Sequence, residues 1–200
     1  MKVGVLAIQG DVSEHVDAMR WALGKLAGGE VVRIKCAEQV DGCDALVLPG
    51  GESTTHTSRM WENGVAGALV GAHRRGVPIL GTCTGLILLS RDGGEQARRT
   101  GQRLLGLLDV DVERNAYGRQ ANSFEAPLDL SVLGIPDFPG VFIRAPFITR
   151  VGPRVEVMGE LNGGAVAVRW GGIWGLTFHP ELTRDTRVHT SFLGEAMRKR

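Results

Sequence analysis

Short apolar segments alternate with stretches of helical periodicity in the first half of the chain, and glycines follow the apolar segments. This alternation predicts a parallel sheet with helices on both faces, because parallel neighbouring strands must be joined by a crossover. Asp11 and Glu14 form an Asp-x-x-Glu pattern, which predicts Asp11 as the N-cap of the first helix. The predicted strands are 3–8, 31–34, 45–48 and 77–80, and the predicted helices are 12–26, 53–72 and 86–89.

The second half of the chain favours strands. Charged residues and glycines dominate 91–103, which predicts an exposed loop. Apolar residues at helical spacing predict a last helix from about Asp185. No internal repeat or low-complexity linker divides the sequence, so we expect one domain over residues 1–200. The predicted strands here are 107–112, 123–130, 141–148, 155–158, 165–170 and 173–178.

Charge and composition exclude several classes of protein. Lys plus Arg number 23 and Asp plus Glu number 22, and this balance argues against a nucleic-acid partner that needs a broad basic surface. No apolar run approaches the ~18 residues of a membrane span, so no membrane partner is expected. The three cysteines form no CxxC pair and cannot all pair with one another, which predicts a reducing, cytoplasmic location.

Gly81-Thr82-Cys83-Thr84-Gly85 has the Gly-x-nucleophile-x-Gly form of a nucleophile elbow, with cysteine in the central position. The motif lies between a predicted strand and a predicted helix, so the Cys83 thiol is expected at a helix N-terminus. The helix dipole there favours the thiolate. A buried structural cysteine is the alternative, but the strand-turn-helix context favours a catalytic Cys83. Cys36 and Cys43 lack this context.

A base and an orienting carboxylate for Cys83 stand together in His179-Pro180-Glu181, after the last predicted strand. Residues i and i+2 of an extended chain share a face, so Glu181 is expected to hold one ring nitrogen of His179. The other nitrogen then remains for the thiol. His15, in the first predicted helix, is a second candidate for the base. The remaining histidines, His56, His73 and His189, are interpreted as structural.

Pro49-Gly50-Gly51-Glu52-Ser53 follows the third predicted strand, and ligands of parallel sheets bind beyond the carboxyl ends of the strands. Backbone N–H groups near Gly51 and at Thr84 are expected to form an oxyanion hole. A plain turn with Ser53 as helix N-cap is the alternative, and both interpretations are compatible. The sequence has no P-loop, HExxH motif or His/Cys ligand cluster, so neither a metal nor a cofactor is expected.

Segments spread over nearly the whole chain carry a resemblance to a known family. They are VLAIQG at 5–10, LPGGESTT at 48–55, GTCTGL at 81–86, VERNAYGRQANSFE at 112–125, and VFIRAP at 141–146 with FHPELT at 178–183. The sequence thus resembles class I glutamine amidotransferases, and among them the glutaminase subunits of pyridoxal 5'-phosphate synthases. The cysteine elbow and His-Pro-Glu are shared by many glutaminases, whereas GGESTT and ERNAYGRQ are far more specific to these subunits.

The resemblance implies an α/β fold, a single-domain three-layer sandwich with a central, mostly parallel sheet. It implies hydrolysis of L-glutamine to L-glutamate and ammonia through a glutamyl-thioester, with Cys83 as nucleophile, His179 as base and Glu181 as orienting group. It also implies that ammonia passes to a separate pyridoxal 5'-phosphate synthase subunit in a hetero-oligomer. The implied glutamine contacts are Gly51, Glu52, Ser53, Arg114, Ile143 and Arg144. The forked guanidinium group of arginine suits the α-carboxylate of glutamine.

Two positions depart from the family pattern. Thr84 stands where alanine is usual, and because its backbone N–H is kept, we expect activity to survive. Phe147 stands where histidine or tyrosine is common, and we expect it to reshape the mouth of the site. Gln9, at the end of the first predicted strand, is expected to couple docking of the partner subunit to assembly of the oxyanion hole.

Three other functions remain open at this stage. The first is a glutaminase subunit of another pathway, such as the imidazole glycerol phosphate synthase of histidine biosynthesis. The second is a non-catalytic regulatory subunit, although the intact set of Cys83, His179 and Glu181 disfavours that interpretation. The third possibility is a cysteine hydrolase that acts on a peptide or a small ester.

Overall fold

Twelve strands and six α-helices make up the part of the chain that the computed structural model describes, which is residues 1–51, 53–114 and 123–198. The strands are β1 (Lys2–Leu6), β2 (Glu30–Ile34), β3 (Ala45–Leu48), β4 (Ile79–Thr82), β5 (Ser90–Asp92), β6 (Leu108–Glu113), β7 (Phe124–Leu130), β8 (Ile135–Phe142), β9 (Phe147–Val151), β10 (Glu156–Leu161), β11 (Gly164–Trp170) and β12 (Ile173–Leu176). The helices are α1 (Val12–Gly24), α2 (Ser53–Glu62), α3 (Val65–Arg74), α4 (Thr84–Leu89), α5 (Gly94–Thr100) and α6 (Arg187–Arg198).

The central sheet has seven strands in the order β10-β11-β12-β4-β3-β1-β2. The five strands from β12 to β2 are parallel to one another, whereas β11 and β10 extend the sheet with antiparallel pairing. A three-stranded sheet, β5-β6-β9, and the two-stranded β7-β8 hairpin complete the structure. The predicted mostly parallel sheet is therefore confirmed.

Both faces of the central sheet are buried, as β3 shows most directly. Its side chains alternate between two hydrophobic clusters: Ala45 and Val47 belong to one, and Leu46 and Leu48 to the other. The first cluster includes side chains of α1 and α6, and the second includes side chains of α2, α3 and α4. A strand that is buried on both faces has an unbroken run of apolar residues, and this run is why the sequence predicted β3.

The prediction of an exposed loop at 91–103 is wrong. This stretch contains the end of β5 and helix α5, which begins after Gly93 and ends at Gly101 in the left-handed conformation. Only Gly94 and Ala97 are buried in α5, so the helix lacks the apolar stripe by which helices are recognised in a sequence. None of the helices in the described residues is long and apolar enough to cross a membrane.

Two predicted elements are divided in the structure. Gly64, with a φ of 75°, separates α2 from α3 within the predicted helix 53–72. The predicted strand 141–148 is the end of β8 and the start of β9, joined by a loop in which Arg144 has a φ of 43°. The first part of β8 was not predicted because it contains Pro136 and Pro139, and proline is rare within sheets and tolerated mainly on edges.

Candidate active site

Four neighbouring strands of the central sheet, β12, β4, β3 and β1, end at the same edge. The segments that follow them line part of a cleft of about 230 Å³. This volume is below the ~300–1,000 Å³ of sites for drug-sized molecules and suits a ligand the size of an amino acid. Cys83 and His179 both line the cleft. The position agrees with the rule that ligands of such sheets bind beyond the strand carboxyl ends.

Cys83 occupies a strained turn between β4 and α4. Its φ of 48° and ψ of −104° lie outside the usual regions for a residue with a side chain. The turn is possible because glycines flank it closely: a Cβ atom on Gly85 would lie 1.9 Å from the backbone oxygen of Leu48. The predicted strand-turn-helix geometry of the elbow is present, and the Cys83 thiol lies at the start of α4.

His179 and Glu181 are in direct contact beside this turn. Nδ1 of His179 lies 2.7 Å from Oε1 of Glu181, and both side chains are buried. The extended geometry expected for this segment is wrong, because Pro180–Leu182 forms a 3-10 turn that Pro180 opens. The turn brings the carboxylate to the ring all the same, since a 3-10 turn folds residue i+2 back toward residue i.

The environment shifts the pKa values of both groups. Burial alone would lower the pKa of His179, but hydrogen bonds with Asp11, Cys83 and Glu181 raise it far above its ordinary value. Burial alone would raise the pKa of Glu181, but the charges and hydrogen bonds of His15 and His179 lower it well below the ordinary range. The pair therefore favours a carboxylate next to an imidazolium.

The predicted N-cap position of Asp11 is confirmed, but the capping contact that the Asp-x-x-Glu pattern indicates is absent. Oδ2 of Asp11 instead lies 3.3 Å from Nδ1 of His179, and Asp11 lines the cleft. The Asp-x-x-Glu pattern gave no sign of this contact, because it depends on β1 and β12 ending at the same edge.

His15 also belongs to the site, although not as the base. Its Nε2 lies 2.9 Å from the Thr82 hydroxyl and 3.3 Å from Oε1 of Glu181, and the side chain is fully buried. A carboxylate can only accept a hydrogen bond, so the contact requires the proton of His15 on Nε2. His15 thus links the residue before Cys83 to the carboxylate that contacts His179.

His189 lies behind this group on α6. Its ring centroid is 6.0 Å from that of His15, and the side chain is fully buried. Burial, with a smaller contribution from the nearby His15, lowers the pKa of His189 to about 3. His189 is therefore neutral at physiological pH, which agrees with its interpretation as a structural histidine.

Replacing His15 with alanine is expected to reduce the free energy of unfolding by about 2–3 kcal/mol, because Glu181 loses a buried partner and a cavity opens. His15→Gln restores an N–H group near the same place and is expected to lose less. Urea denaturation measures both changes. The matched control is His73→Ala at the end of α3, where a change within about 0.5 kcal/mol is expected. Equal losses in the two alanine variants would contradict this role of His15.

Gly51 and Thr84, the predicted oxyanion-hole residues, are in contact. The Thr84 hydroxyl donates a hydrogen bond of 2.5 Å to the Gly51 carbonyl oxygen, and both residues line the cleft. The threonine that replaces the usual alanine is thus bonded to the turn that follows β3. Glu52 lies outside the described residues. Ser53 is the first residue of α2.

The other implied glutamine contacts also belong to the lining of the cleft. Arg114, Ile143 and Arg144 all line it. The sulfur of Cys83, a weak donor as a thiol, lies 4.0 Å from the Ile143 carbonyl oxygen, which is the acceptor of this contact. The positive φ of Arg144 is a strained conformation of the kind that clusters at functional sites.

Two further predicted residues, Gln9 and Phe147, are not among the described residues that line the cleft. Gln9 is exposed in the segment between β1 and α1. The Phe147 ring packs over Gly164 of β11, where an added Cβ atom would lie 2.8 Å from it. Phe147 is not among the described residues that line the cleft, so its expected effect on the mouth of the site finds no support in this geometry.

Asp11, His179 and Glu181 also meet the distance requirement for a metal site, because their ligand atoms lie within 4.8 Å of one another. The same closeness is explained by the 2.7 Å hydrogen bond between His179 and Glu181 and by the Asp11 contact. The cluster therefore gives no independent reason to place a metal here.

Comparison with solved structures gives the class of the protein. A crystal structure described as a glutamine amidotransferase superposes with a TM-score of 0.86 over 98% of both chains, with 42% sequence identity. PurLQS from Thermotoga maritima superposes with a TM-score of 0.67 over 97% of this chain and 98% of that chain, but with 16% identity it shows the fold alone. The fold and the cysteine elbow define a class I glutamine amidotransferase.

The family follows from the sequence comparisons. The chain belongs to the SNO glutamine amidotransferase family, whose model matches residues 5–198. Pyridoxal 5'-phosphate synthase subunit PdxT of Methanosarcina barkeri is 50% identical over 194 residues, which are 96% of each chain. The PdxT subunit of Archaeoglobus fulgidus is also 50% identical over 194 residues, which are 96% of this chain and 97% of that one. The predicted family and enzyme class are confirmed.

Proposed function

We propose that this chain hydrolyses glutamine through Cys83, His179 and Glu181. The observation that carries the proposal is the buried His179–Glu181 pair beside the Cys83 elbow, in a cleft of amino-acid size. A cysteine at a strained strand-to-helix turn, with an imidazole held by a carboxylate, is the arrangement of nucleophilic acyl transfer. Family membership restricts the acyl donor to glutamine.

The reaction has two halves. The Cys83 thiolate attacks the side-chain amide carbon of glutamine, and backbone N–H groups near Gly51 and Thr84 stabilise the oxyanion. His179 then donates its Nε2 proton to the departing nitrogen, which leaves as ammonia and a glutamyl-thioester remains. In the second half His179 removes a proton from water, and the hydroxide attacks the thioester. Glutamate leaves, and the thiolate and imidazolium are restored.

Other residues of the cleft lining supply the groups that would hold the substrate. Arg114 and Arg144 carry the guanidinium groups that suit the α-carboxylate, and the Ile143 carbonyl oxygen accepts hydrogen bonds. Gly51, Glu52 and Ser53 complete the proposed contacts from the turn after β3. In this assignment the substrate lies with its α-carboxylate at the arginines and its amide carbon at the sulfur.

We assign the ammonia to a pyridoxal 5'-phosphate synthase, on the strength of the PdxT relatives. The synthase subunit joins ammonia to phosphorylated sugars, and the two subunits form a hetero-oligomer in this proposal. Gln9 is exposed and lies two residues before Asp11, which lines the cleft. A partner subunit that docks at Gln9 would therefore contact the segment that leads into the site. Gln9 is therefore proposed to couple docking to activity.

We also infer that residues 1–200 form one glutaminase domain, because both hydrophobic clusters pack on the same central sheet. All three cysteines are free, which supports a reducing compartment such as the cytoplasm.

The test is ammonia release from glutamine by the isolated chain and by the chain mixed with the candidate synthase subunit. We expect weak activity alone and a stimulation of roughly tenfold or more with the synthase subunit, a typical size for coupling between sites. The matched control is an imidazole glycerol phosphate synthase subunit, which is expected to leave the rate unchanged. Stimulation by the control subunit alone would favour the other pathway, and no release under any condition would reject the glutaminase assignment.

A further inference from the structure

We propose that Asp11 is a positioning residue for the reaction, which holds His179 by sharing its Nδ1 proton with Glu181 and stabilises the imidazolium form of the ring. This inference rests on the proposed function. It assigns a second carboxylate to the base and leaves the roles of Cys83 and Glu181 unchanged.

The geometry places two carboxylates on one side of the ring. Glu181 Oε1 is 2.7 Å and Asp11 Oδ2 is 3.3 Å from Nδ1 of His179. Ionised carboxylates have only acceptor atoms, so both oxygens compete for the single N–H at that position. Glu181 makes the shorter contact and is fully buried in its side chain, whereas 35% of the Asp11 side chain is exposed.

The contact of Asp11 is built into the backbone around it. Gly10 has a φ of 92°, and a Cβ atom there would lie 1.8 Å from the backbone oxygen of Gly50. Gly50 in turn lies so close that its own Cβ atom would be 2.6 Å from Cε1 of His179 and 2.9 Å from Oδ2 of Asp11. Two glycines thus let the segment before α1 approach the ring, which an ordinary helix N-cap does not require.

Charged and titratable groups surround His179 from several elements. Asp11 faces it from the start of α1, Glu181 from its own turn, and Cys83 from the elbow. His15 acts through its contact with Glu181, and the guanidinium groups of Arg114 and Arg144 line the same cleft with the opposite charge. The ring must carry a proton until ammonia departs. A second carboxylate stabilises the protonated ring, so His179 stays protonated up to a higher pH.

The test is Asp11→Asn, which keeps the size of the side chain and removes its charge. The His179 pKa is expected to fall by about one pH unit, the shift typical of one nearby opposite charge. The alkaline limb of kcat/KM for ammonia release should move down with it. The matched control is Asp17→Asn, a half-exposed aspartate on α1 that pairs with Arg20 and is expected to change neither value.

The pKa of His179 is read directly by NMR titration of its ring nitrogens in the isolated chain, with His179→Gln to assign the signals. This measurement needs neither glutamine nor partner, so it decides the role of Asp11 even when the proposed function fails in the ammonia assay. An unchanged titration and an unchanged alkaline limb in Asp11→Asn would overturn the inference. A lower melting temperature without any shift in either curve would also overturn it, since it would show a purely structural role.

Discussion

Replacing Cys83 with alanine is expected to lower glutamine hydrolysis by about 10,000-fold or more, because the thioester cannot form without the sulfur. Losses of this size follow removal of a nucleophile in enzymes that use covalent catalysis. The rate of ammonia release, with the synthase subunit present, measures the effect. The backbone of the elbow is unchanged by the substitution, so the melting temperature is expected to stay close to that of the unmodified chain.

Cys36→Ala is the matched control, because Cys36 is a free cysteine that is only partly buried and lies outside the cleft lining. It is expected to keep nearly full activity. Glutaminase activity near normal in Cys83→Ala would reject the whole assignment of the triad. Equal losses in both variants would point to a general effect of removing thiols.

Gly85→Ala is expected to destabilise the protein by about 3 kcal/mol or more. Gly85 lies in the first turn of α4, where a Cβ atom would be 1.9 Å from the backbone oxygen of Leu48. Backbone atoms cannot yield as the end of a flexible side chain does, so α4 or β3 has to shift. Because β3 leads into the turn at Gly51, we expect the variant to lose glutaminase activity as well.

Gly67→Ala is the same substitution in a different setting and gives the matched control. Gly67 is an exposed residue within α3, and nothing lies within 4 Å of where its Cβ atom would be. Alanine is the better helix former, so a gain of about 0.5–1 kcal/mol is expected. Urea denaturation of both variants measures the difference in sign. A Gly85→Ala protein as stable as Gly67→Ala would contradict the close approach of α4 to β3.

The sequence predicted those parts of the site whose residues lie close together along the chain. The elbow around Cys83 needs two glycines, a strand before it and a helix after it, and all of these are local features. His179 and Glu181 were paired correctly because they are two residues apart, although the backbone between them is a 3-10 turn. Elements with few buried apolar side chains were harder to predict. Helix α5 has a single buried alanine and was expected to be a loop.

What the sequence by itself determined is the fold class, through the alternation of apolar strands and helices. It also predicted the Cys83 elbow and the contact between His179 and Glu181, since both lie within short segments of the chain. Only the tertiary structure decided that Asp11 and His15 join them. Both residues come from the segment after β1, whereas His179 and Glu181 follow β12, at the other end of the chain. Their contact arises from the strand order β12-β4-β3-β1, which long-range packing of the sheet sets.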